Sequence, residues 1–73
     1  MKVPIIKTAE DLGRLIRQVR LQQKLRQIDL AMTSGTGERF IVDLERGKPT
    51  CEIDRALHVA RMLGIKLEAT VPR

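Results

Sequence analysis

A chain of 73 residues forms at most one small domain, and its 14 basic and 9 acidic residues give it a net charge of +5. A domain of this size has a thin core, which oligomerisation commonly helps to stabilise. The positive charge favours an anionic partner such as nucleic acid or an acidic membrane surface, although a soluble basic protein without such a partner has the same composition.

The sequence lacks the residues or segments that a disulfide, a cysteine- and histidine-ligated metal site, a membrane protein or an enzyme would need. Cys51 and His58 are the only cysteine and histidine, which excludes an intramolecular disulfide and a cluster of thiolate or imidazole metal ligands. No secretory signal is recognisable, and no apolar run approaches the roughly 20 residues of a membrane span, so we expect a cytoplasmic protein without a membrane partner. Because no nucleophile–base pair or glycine-rich phosphate loop is present, neither an enzyme nor a cofactor is expected.

The N-terminal half begins with a short arm, residues 1–7, in which Pro4 disfavours a helix. Thr8 can cap a first helix, and the acidic Glu10 and Asp11 lie favourably at the positive end of the helix dipole. Apolar residues recur at helical spacing as far as Val19, which predicts a helix from about residue 8 to residue 23.

Three shorter helices are predicted after this one, over Gln27–Thr33, Glu38–Leu44 and about Glu52–Leu63. Glycines at positions 35 and 37 separate the second helix from the third. Val59 and Met62 lie partly off the apolar stripe of the last helix, where they could contribute to a dimer interface. The stripe itself is predicted to comprise Ile53, Ala56, Leu57, Ala60 and Leu63.

The tail alternates apolar and polar residues from Ile65 to Val71, which is the pattern of a strand. A single strand leaves backbone groups unpaired, so it needs a partner. That partner is either the same strand of a second copy or residues Val3–Ile6. The division of the chain is therefore an arm (1–7), a helical domain (8–64) and a dimerisation strand with tail (65–73). The residues assigned to dimerisation are Ile65, Leu67, Ala69, Val71, Val59 and Met62.

The spacing of residues 27–44 is typical of a helix-turn-helix motif, in which two short helices are joined by a tight turn. Ala31 is small where the next helix must pass close to it, and Gly35 can adopt the positive φ angle that the turn requires. Ile41 and Leu44 anchor the third helix, which leaves its opposite face free for the major groove of DNA. We therefore expect an all-α, DNA-binding domain.

The segment Leu12–Leu63 resembles the Xre/Cro/C1 helix-turn-helix family, and the stretch RFIVDLERGKPT (Arg39–Thr50) resembles HipB-type antitoxins in particular. The resemblance implies a compact lambda-repressor-like domain of four to five helices and a homodimer in which a C-terminal strand pairs across the interface. It also implies a repressor that binds operator DNA, autoregulates its operon and binds a HipA-type serine/threonine kinase toxin. A stand-alone phage-type repressor and a module that mainly holds a partner protein inactive remain alternatives.

Carried over residue by residue, the resemblance places Gln27 at the start of the second helix, in contact with DNA backbone or a base. The exposed start and outer face of the recognition helix comprise Thr36, Gly37, Glu38, Arg39 and Asp43. Arg39 suits guanine, whose two major-groove acceptors match its forked donors. Flanking cations that suit phosphates are Lys24, Arg26, Arg46 and Lys48.

Two positions depart from the family pattern. Arg26 and Gly37 stand where the family usually has a capping serine or threonine, which leaves Thr36 as an alternative cap for the third helix. The acidic Glu38 and Asp43 can only accept hydrogen bonds, so they would read a cytosine amino group or repel the DNA backbone from wrong registers. For Asp43 an ion pair with Arg39, four residues earlier, is an equal alternative. Glu45 is expected to have a structural role, in an ion pair with an arginine of the first helix.

Overall fold

The computed structural model describes residues 3–72, and these residues form four helices. The helices are α1 (Ala9–Gln22), α2 (Gln27–Ser34), α3 (Glu38–Glu45) and α4 (Ile53–Met62). All four predicted helices are therefore confirmed, each end lying within about one residue of its predicted position. No helix among the described residues is long and apolar enough to cross a membrane.

Helix α1 begins with reciprocal hydrogen bonds between a side chain and the backbone. The Thr8 hydroxyl accepts the backbone N–H of Asp11 at 3.1 Å, while the Asp11 carboxylate accepts the N–H groups of Lys7 (2.9 Å) and Thr8 (3.2 Å). The hydrogen bond from Lys7 is the main reason why the pKa of Asp11 lies below its ordinary value. This arrangement satisfies backbone donors that a helix start otherwise leaves unpaired, and it confirms Thr8 as the cap.

Helix α3 begins without a capping side chain. Gly37 is its N-cap in an extended conformation, so the alternative in which Thr36 caps the helix is wrong. The Thr36 hydroxyl is instead buried without a hydrogen-bond partner. Because Gly37 has no side chain, the first backbone N–H groups of α3 have no side-chain acceptor from the N-cap residue.

The core is aliphatic, and each helix supplies one of its largest fully buried side chains: Ile16, Leu30, Ile41 and Val59. Full burial of such a side chain stabilises a fold by about 1.5–3 kcal/mol. Four such residues from four different helices mean that no helix can leave the bundle without exposing core surface.

The predicted stripe of α4 is wrong at two positions. Val59, predicted to lie at a dimer interface, is fully buried, whereas Ile53, predicted to lie on the core-facing stripe, is 63% exposed. A stripe that includes Ile53 and one that includes Val59 both satisfy helical spacing. The packing of α4 against the other helices decides which of them is buried. Ile53 is also the first residue of α4, where the helix emerges from a loop. The buried residues of this region are Ala56, Val59, Ala60 and Leu63.

The predicted C-terminal strand is not formed in the single chain. Residues 65–72 have no assigned secondary structure, and they form no strand pair with Val3–Ile6. The physical reason is that a strand is stabilised by hydrogen bonds to a neighbouring strand, which one isolated tail lacks. Ile65 is half-buried against the core, whereas Leu67 and Val71 are 41% and 76% exposed.

All four helices end in the same kind of turn. The N–H of a residue with positive φ bonds to the carbonyl three residues back, and the next N–H bonds to the carbonyl five residues back. Glycine occupies the positive-φ position after α2, α3 and α4, as Gly35, Gly47 and Gly64. After α1 that position is held by Lys24, with φ of 59°, the one non-glycine residue of positive φ within residues 3–72.

Helix α1 meets the end of α3 at Gly13. A Cβ atom at this position would overlap the carbonyl oxygen of Leu44 and lie 2.9 Å from the carbonyl oxygen of Glu45. The obstacle is backbone, which cannot rotate away as a side chain can. The distance between α1 and α3 is therefore set by direct contact between their main chains.

We expect Gly13→Ala to lower the free energy of unfolding by about 1–3 kcal/mol, the usual cost of overpacking. Intrinsic helix propensity acts in the opposite direction, favouring alanine by about 1 kcal/mol. Urea denaturation measures the change. A Gly13→Ala variant that is as stable as the wild type, or more stable, would contradict the close approach.

Candidate nucleic-acid interface

Helices α2 and α3 pack against each other across a tight turn formed by residues 35–37. Gly35 adopts the left-handed conformation, with φ of 70°. The N–H of Thr36 bonds to the carbonyl of Ala31 at 2.9 Å, and the Ala31 side chain is only 1% exposed. The turn residue and the small residue therefore occupy the places expected for a helix-turn-helix motif.

A buried ion pair holds α3 against α1. The Arg20 guanidinium donates to both carboxylate oxygens of Glu45, from Nε at 2.6 Å and from Nη2 at 2.9 Å. Its Nη1 donates to the backbone carbonyl of Leu25 at 2.8 Å. The side chains of Arg20 and Glu45 are only 8% and 3% exposed. The hydrogen bonds to Glu45 raise the pKa of Arg20. The predicted ion pair between Glu45 and an arginine of the first helix is therefore confirmed.

Gln27, a predicted DNA contact, lies at the edge of this buried pair. Its side-chain Nε2 donates to Oε1 of Glu45 at 3.1 Å, and the residue is half-buried at the first position of α2. A carboxylate can only accept, so the amide must turn its NH₂ group towards Glu45. The amide oxygen and the second N–H remain for other partners, with their orientation set by Glu45.

The outer face of α3 carries the predicted base-reading residues. Glu38 and Arg39 are exposed at the start of the helix, after the exposed Gly37 and the half-buried Thr36. The Arg39 side chain is 79% exposed, and its Nε lies 3.2 Å from Oδ1 of Asp43. The expected pair between Arg39 and Asp43 is therefore confirmed.

Asp43 also contacts a second cation. Nζ of Lys48 lies 3.5 Å from Oδ2 of Asp43. This contact is not predicted by helical spacing, because Lys48 lies beyond the end of α3. The available signal was Gly47: its turn folds the chain back, so that the backbone N–H of Lys48 reaches the Asp43 carbonyl at 3.0 Å.

The flanking cations differ in how they are paired. The exposed Arg26 side chain is held by Asp29, whose carboxylate also accepts the Arg26 backbone N–H at 2.9 Å. Lys24 and Arg46 are exposed and form no ion pair with the described residues. These two cations can therefore bind an anion without losing an intramolecular partner.

A family model described as helix-turn-helix matches residues 16–69. The chain belongs to the helix-turn-helix family. The uncharacterized HTH-type transcriptional regulator y4mF of Sinorhizobium fredii is 51% identical over 67 residues, a match that covers 92% of this chain and 88% of that protein. The family resemblance inferred from the sequence is thus confirmed.

The helix-turn-helix fold is confirmed by a solved structure. A chain of the HipB–O4 20mer complex matches this one with a TM-score of 0.85, over 97% of this chain and 100% of that chain. The two chains are 17% identical, so the likeness establishes a shared fold and no more. In this helix-turn-helix chain, α2 and α3 form the motif, while α1 and α4 complete the bundle.

The histidine, cysteine and acidic residues of this helix-turn-helix domain are its possible metal ligands. Within residues 3–72, no group of three or more histidine, cysteine or acidic residues is placed to hold a metal ion. Cys51 is half-buried, and its pKa is raised mainly by burial and secondarily by the charge of Asp43. The thiol is therefore less easily ionised than an exposed cysteine.

The ion pair between Arg26 and Asp29 at the start of α2 predicts that the stability of the helix-turn-helix motif depends on pH. The Arg26 side chain, followed by its backbone N–H, lowers the pKa of Asp29 to about 2. A depressed folded-state pKa means that the stabilisation is present above the unfolded value near 3.8 and is lost as the pH falls through about 2. We expect the gap in unfolding temperature between the wild type and Asp29→Asn to shrink over this range.

Thermal unfolding at several pH values between 5 and 2 measures this gap, and Asp54→Asn is the control. Asp54 is exposed and forms no ion pair with the described residues. A gap for Asp29→Asn that is equally large at both ends of the pH range would contradict the assigned role.

Proposed function

We propose that the protein is a sequence-specific DNA-binding transcriptional repressor that acts as a dimer in the cytoplasm and has no catalytic role. The observation that carries this proposal is the division of α3 into two faces. Ile41 and Leu44 are buried, whereas Arg39 on the same helix is 79% exposed. A recognition helix needs this combination, because one face anchors the helix and the other enters the major groove. The net charge of +5 favours an anionic partner.

The proposed contacts divide into base contacts and phosphate contacts. Arg39 donates to the O6 and N7 atoms of a guanine, while Gln27, Glu38 and the turn before α3 lie at the groove. Four cations supply affinity for phosphates and little sequence preference. They are Lys24, Arg26, Arg46 and Lys48.

Footprinting on the promoter of the protein's own operon tests the proposal. We expect a protected inverted repeat with half-site centres about 10 base pairs apart, the spacing of recognition helices in such dimers. Arg39→Ala should cost about 1–3 kcal/mol of binding and relax the preference at one base pair in each half-site.

Arg14→Ala is the control for this variant. Arg14 is also an exposed arginine paired with an aspartate on its own helix, but it lies on α1, outside the motif. It should leave the sequence preference unchanged. The absence of a protected repeat at low salt and micromolar protein would refute the proposal.

Lys24 offers a test in which stability and binding change in opposite directions. A side chain in the left-handed conformation costs about 1 kcal/mol that glycine does not incur. Lys24→Gly should therefore raise the free energy of unfolding by about this amount. It should also weaken binding to any duplex and reduce the salt dependence by about one counterion for each protomer.

Lys24→Arg is the matched control, because it keeps the positive charge and, like lysine, places a side chain at a position with positive φ. It should bind as the wild type does and gain no stability. If Lys24→Gly binds duplex DNA as tightly as the wild type over a range of salt, Lys24 makes no phosphate contact.

We further propose that the end of α4 and the tail form the dimer interface and the surface for a protein partner. Met62, Leu67 and Val71 expose apolar surface there, at 42%, 41% and 76%. A groove of about 570 Å³ lies between α4 and the tail. Dimerisation buries such a surface. The residues we assign to it are Met62, Ile65, Leu67, Ala69 and Val71, without the buried Val59.

The proposed protein partner is a HipA-type serine/threonine kinase toxin. This proposal is supported by the resemblance of Arg39–Thr50 to HipB-type antitoxins and by the fold shared with the HipB chain. Co-purification with the product of the neighbouring gene distinguishes an antitoxin from a stand-alone phage-type repressor. Co-purification together with a negative footprint would instead favour a module that mainly holds its partner inactive.

A further inference from the structure

The charge of α3 is unusual for a helix assigned to the major groove. Glu38, Asp43 and Glu45 are acidic, and Arg39 is the one cation within Glu38–Glu45. Glu45 is neutralised by the buried Arg20 and faces the core. Asp43 differs, because both of its partners belong to the proposed DNA interface. Its presence therefore needs an explanation in terms of DNA binding.

Asp43 joins the proposed base-reading residue to a proposed phosphate contact. One carboxylate oxygen lies 3.2 Å from Nε of Arg39, and the other lies 3.5 Å from Nζ of Lys48. The Asp43 side chain is only 17% exposed, whereas those of Arg39 and Lys48 are 79% and 53% exposed. The Asp43 carboxylate is thus largely buried, and the two cations that contact it extend from it into solvent.

This arrangement leaves the Asp43 carboxylate poorly placed to read a base. Each oxygen already faces a cation and the side chain is only 17% exposed, so a cytosine amino group would have to share these oxygens with Arg39 and Lys48. A carboxylate at this place also repels the phosphates that its two cations attract. Asp43 and the DNA phosphates therefore compete for Arg39 and Lys48.

We propose that Asp43 is a specificity-determining residue that acts as an intramolecular competitor of the DNA phosphates, an inference that rests on the proposed function. On a matching site, Arg39 donates from its Nη groups to a guanine while its Nε stays beside Asp43, so the ion pair is kept. On a mismatched sequence, Arg39 can gain only solvated phosphates, and it must leave Asp43 to reach them. The carboxylate thus weakens binding to random DNA, which depends almost wholly on phosphate contacts, more than binding to the preferred site.

The test compares Asp43→Asn, which is nearly isosteric, with the charge-matched Asp54→Asn. Two probes are used: a mixed-sequence duplex and the duplex that the wild type enriches from a randomised pool. We expect Asp43→Asn to bind the mixed duplex about three- to tenfold more tightly than the wild type, the size expected for releasing two surface ion pairs. Its affinity for the enriched duplex should change less than twofold, so that the ratio of affinities falls.

The salt dependence adds a second readout. Freeing Arg39 and Lys48 should steepen the slope on the mixed duplex by up to about two counterions for each protomer. Asp54→Asn adds the same charge, and it should reproduce neither the steeper slope nor the lower ratio. Circular dichroism and thermal unfolding verify that both variants are folded.

The outcomes separate this inference from the proposed function. If the wild type enriches a duplex but the two variants behave alike, the inference is overturned and the proposed function stands. If Asp43→Asn loses affinity for the enriched duplex without gaining affinity for the mixed one, Asp43 reads a base and the inference is also overturned. A wild type that enriches no duplex overturns both.

Discussion

The buried pair between Arg20 and Glu45 is the interaction on which the arrangement of the motif depends. It joins the last turn of α1 to the last residue of α3. The Glu45 carboxylate also accepts a hydrogen bond from the side chain of Gln27 in α2. Removing water from two charges is costly, and only good geometry with satisfied hydrogen bonds offsets that cost. Here the guanidinium has three acceptors and the carboxylate three donors. Such a network tolerates one arrangement of the three helices and penalises others.

Backbone geometry supplies the second constraint, and it acts at the helix ends. Helices of 8 to 14 residues are too short to be stable by themselves, so their ends must be defined by packing and by local hydrogen bonds. The repeated C-terminal turn satisfies carbonyl groups at each end and redirects the chain. After α3, the same turn brings Lys48 back to Asp43. The turn that ends this helix therefore also places a positive charge beside the acidic residue on its outer face.

Much of this architecture follows from local sequence rules. Thr8, Gly35 and the helical spacing of apolar residues predicted four helices. Position alone predicted a first-helix arginine as a partner of Glu45 and Arg39 as a partner of Asp43. It did not predict the contacts of these carboxylates with Gln27 and Lys48. The errors in the stripe of α4 and in the tail have a common physical origin in contacts between distant parts of the chain or with a second chain. Spacing could not decide between Val59 and Ile53, since either line of residues is one helical face until the neighbouring helices are placed. The tail has the alternation of a strand, but a strand also needs a partner, which a single chain does not supply.

The separation of the two faces of α3 has an evolutionary consequence. Ile41, Leu44 and Glu45 hold the helix, while the exposed Glu38 and Arg39 make no contribution to the core. Exposed substitutions usually change stability by less than about 0.5 kcal/mol. New side chains can therefore be sampled on the outer face without loss of folding. Descendants of one ancestral gene could diverge in the sequences they recognise while inheriting the same scaffold, which reduces cross-talk between duplicated copies in one genome.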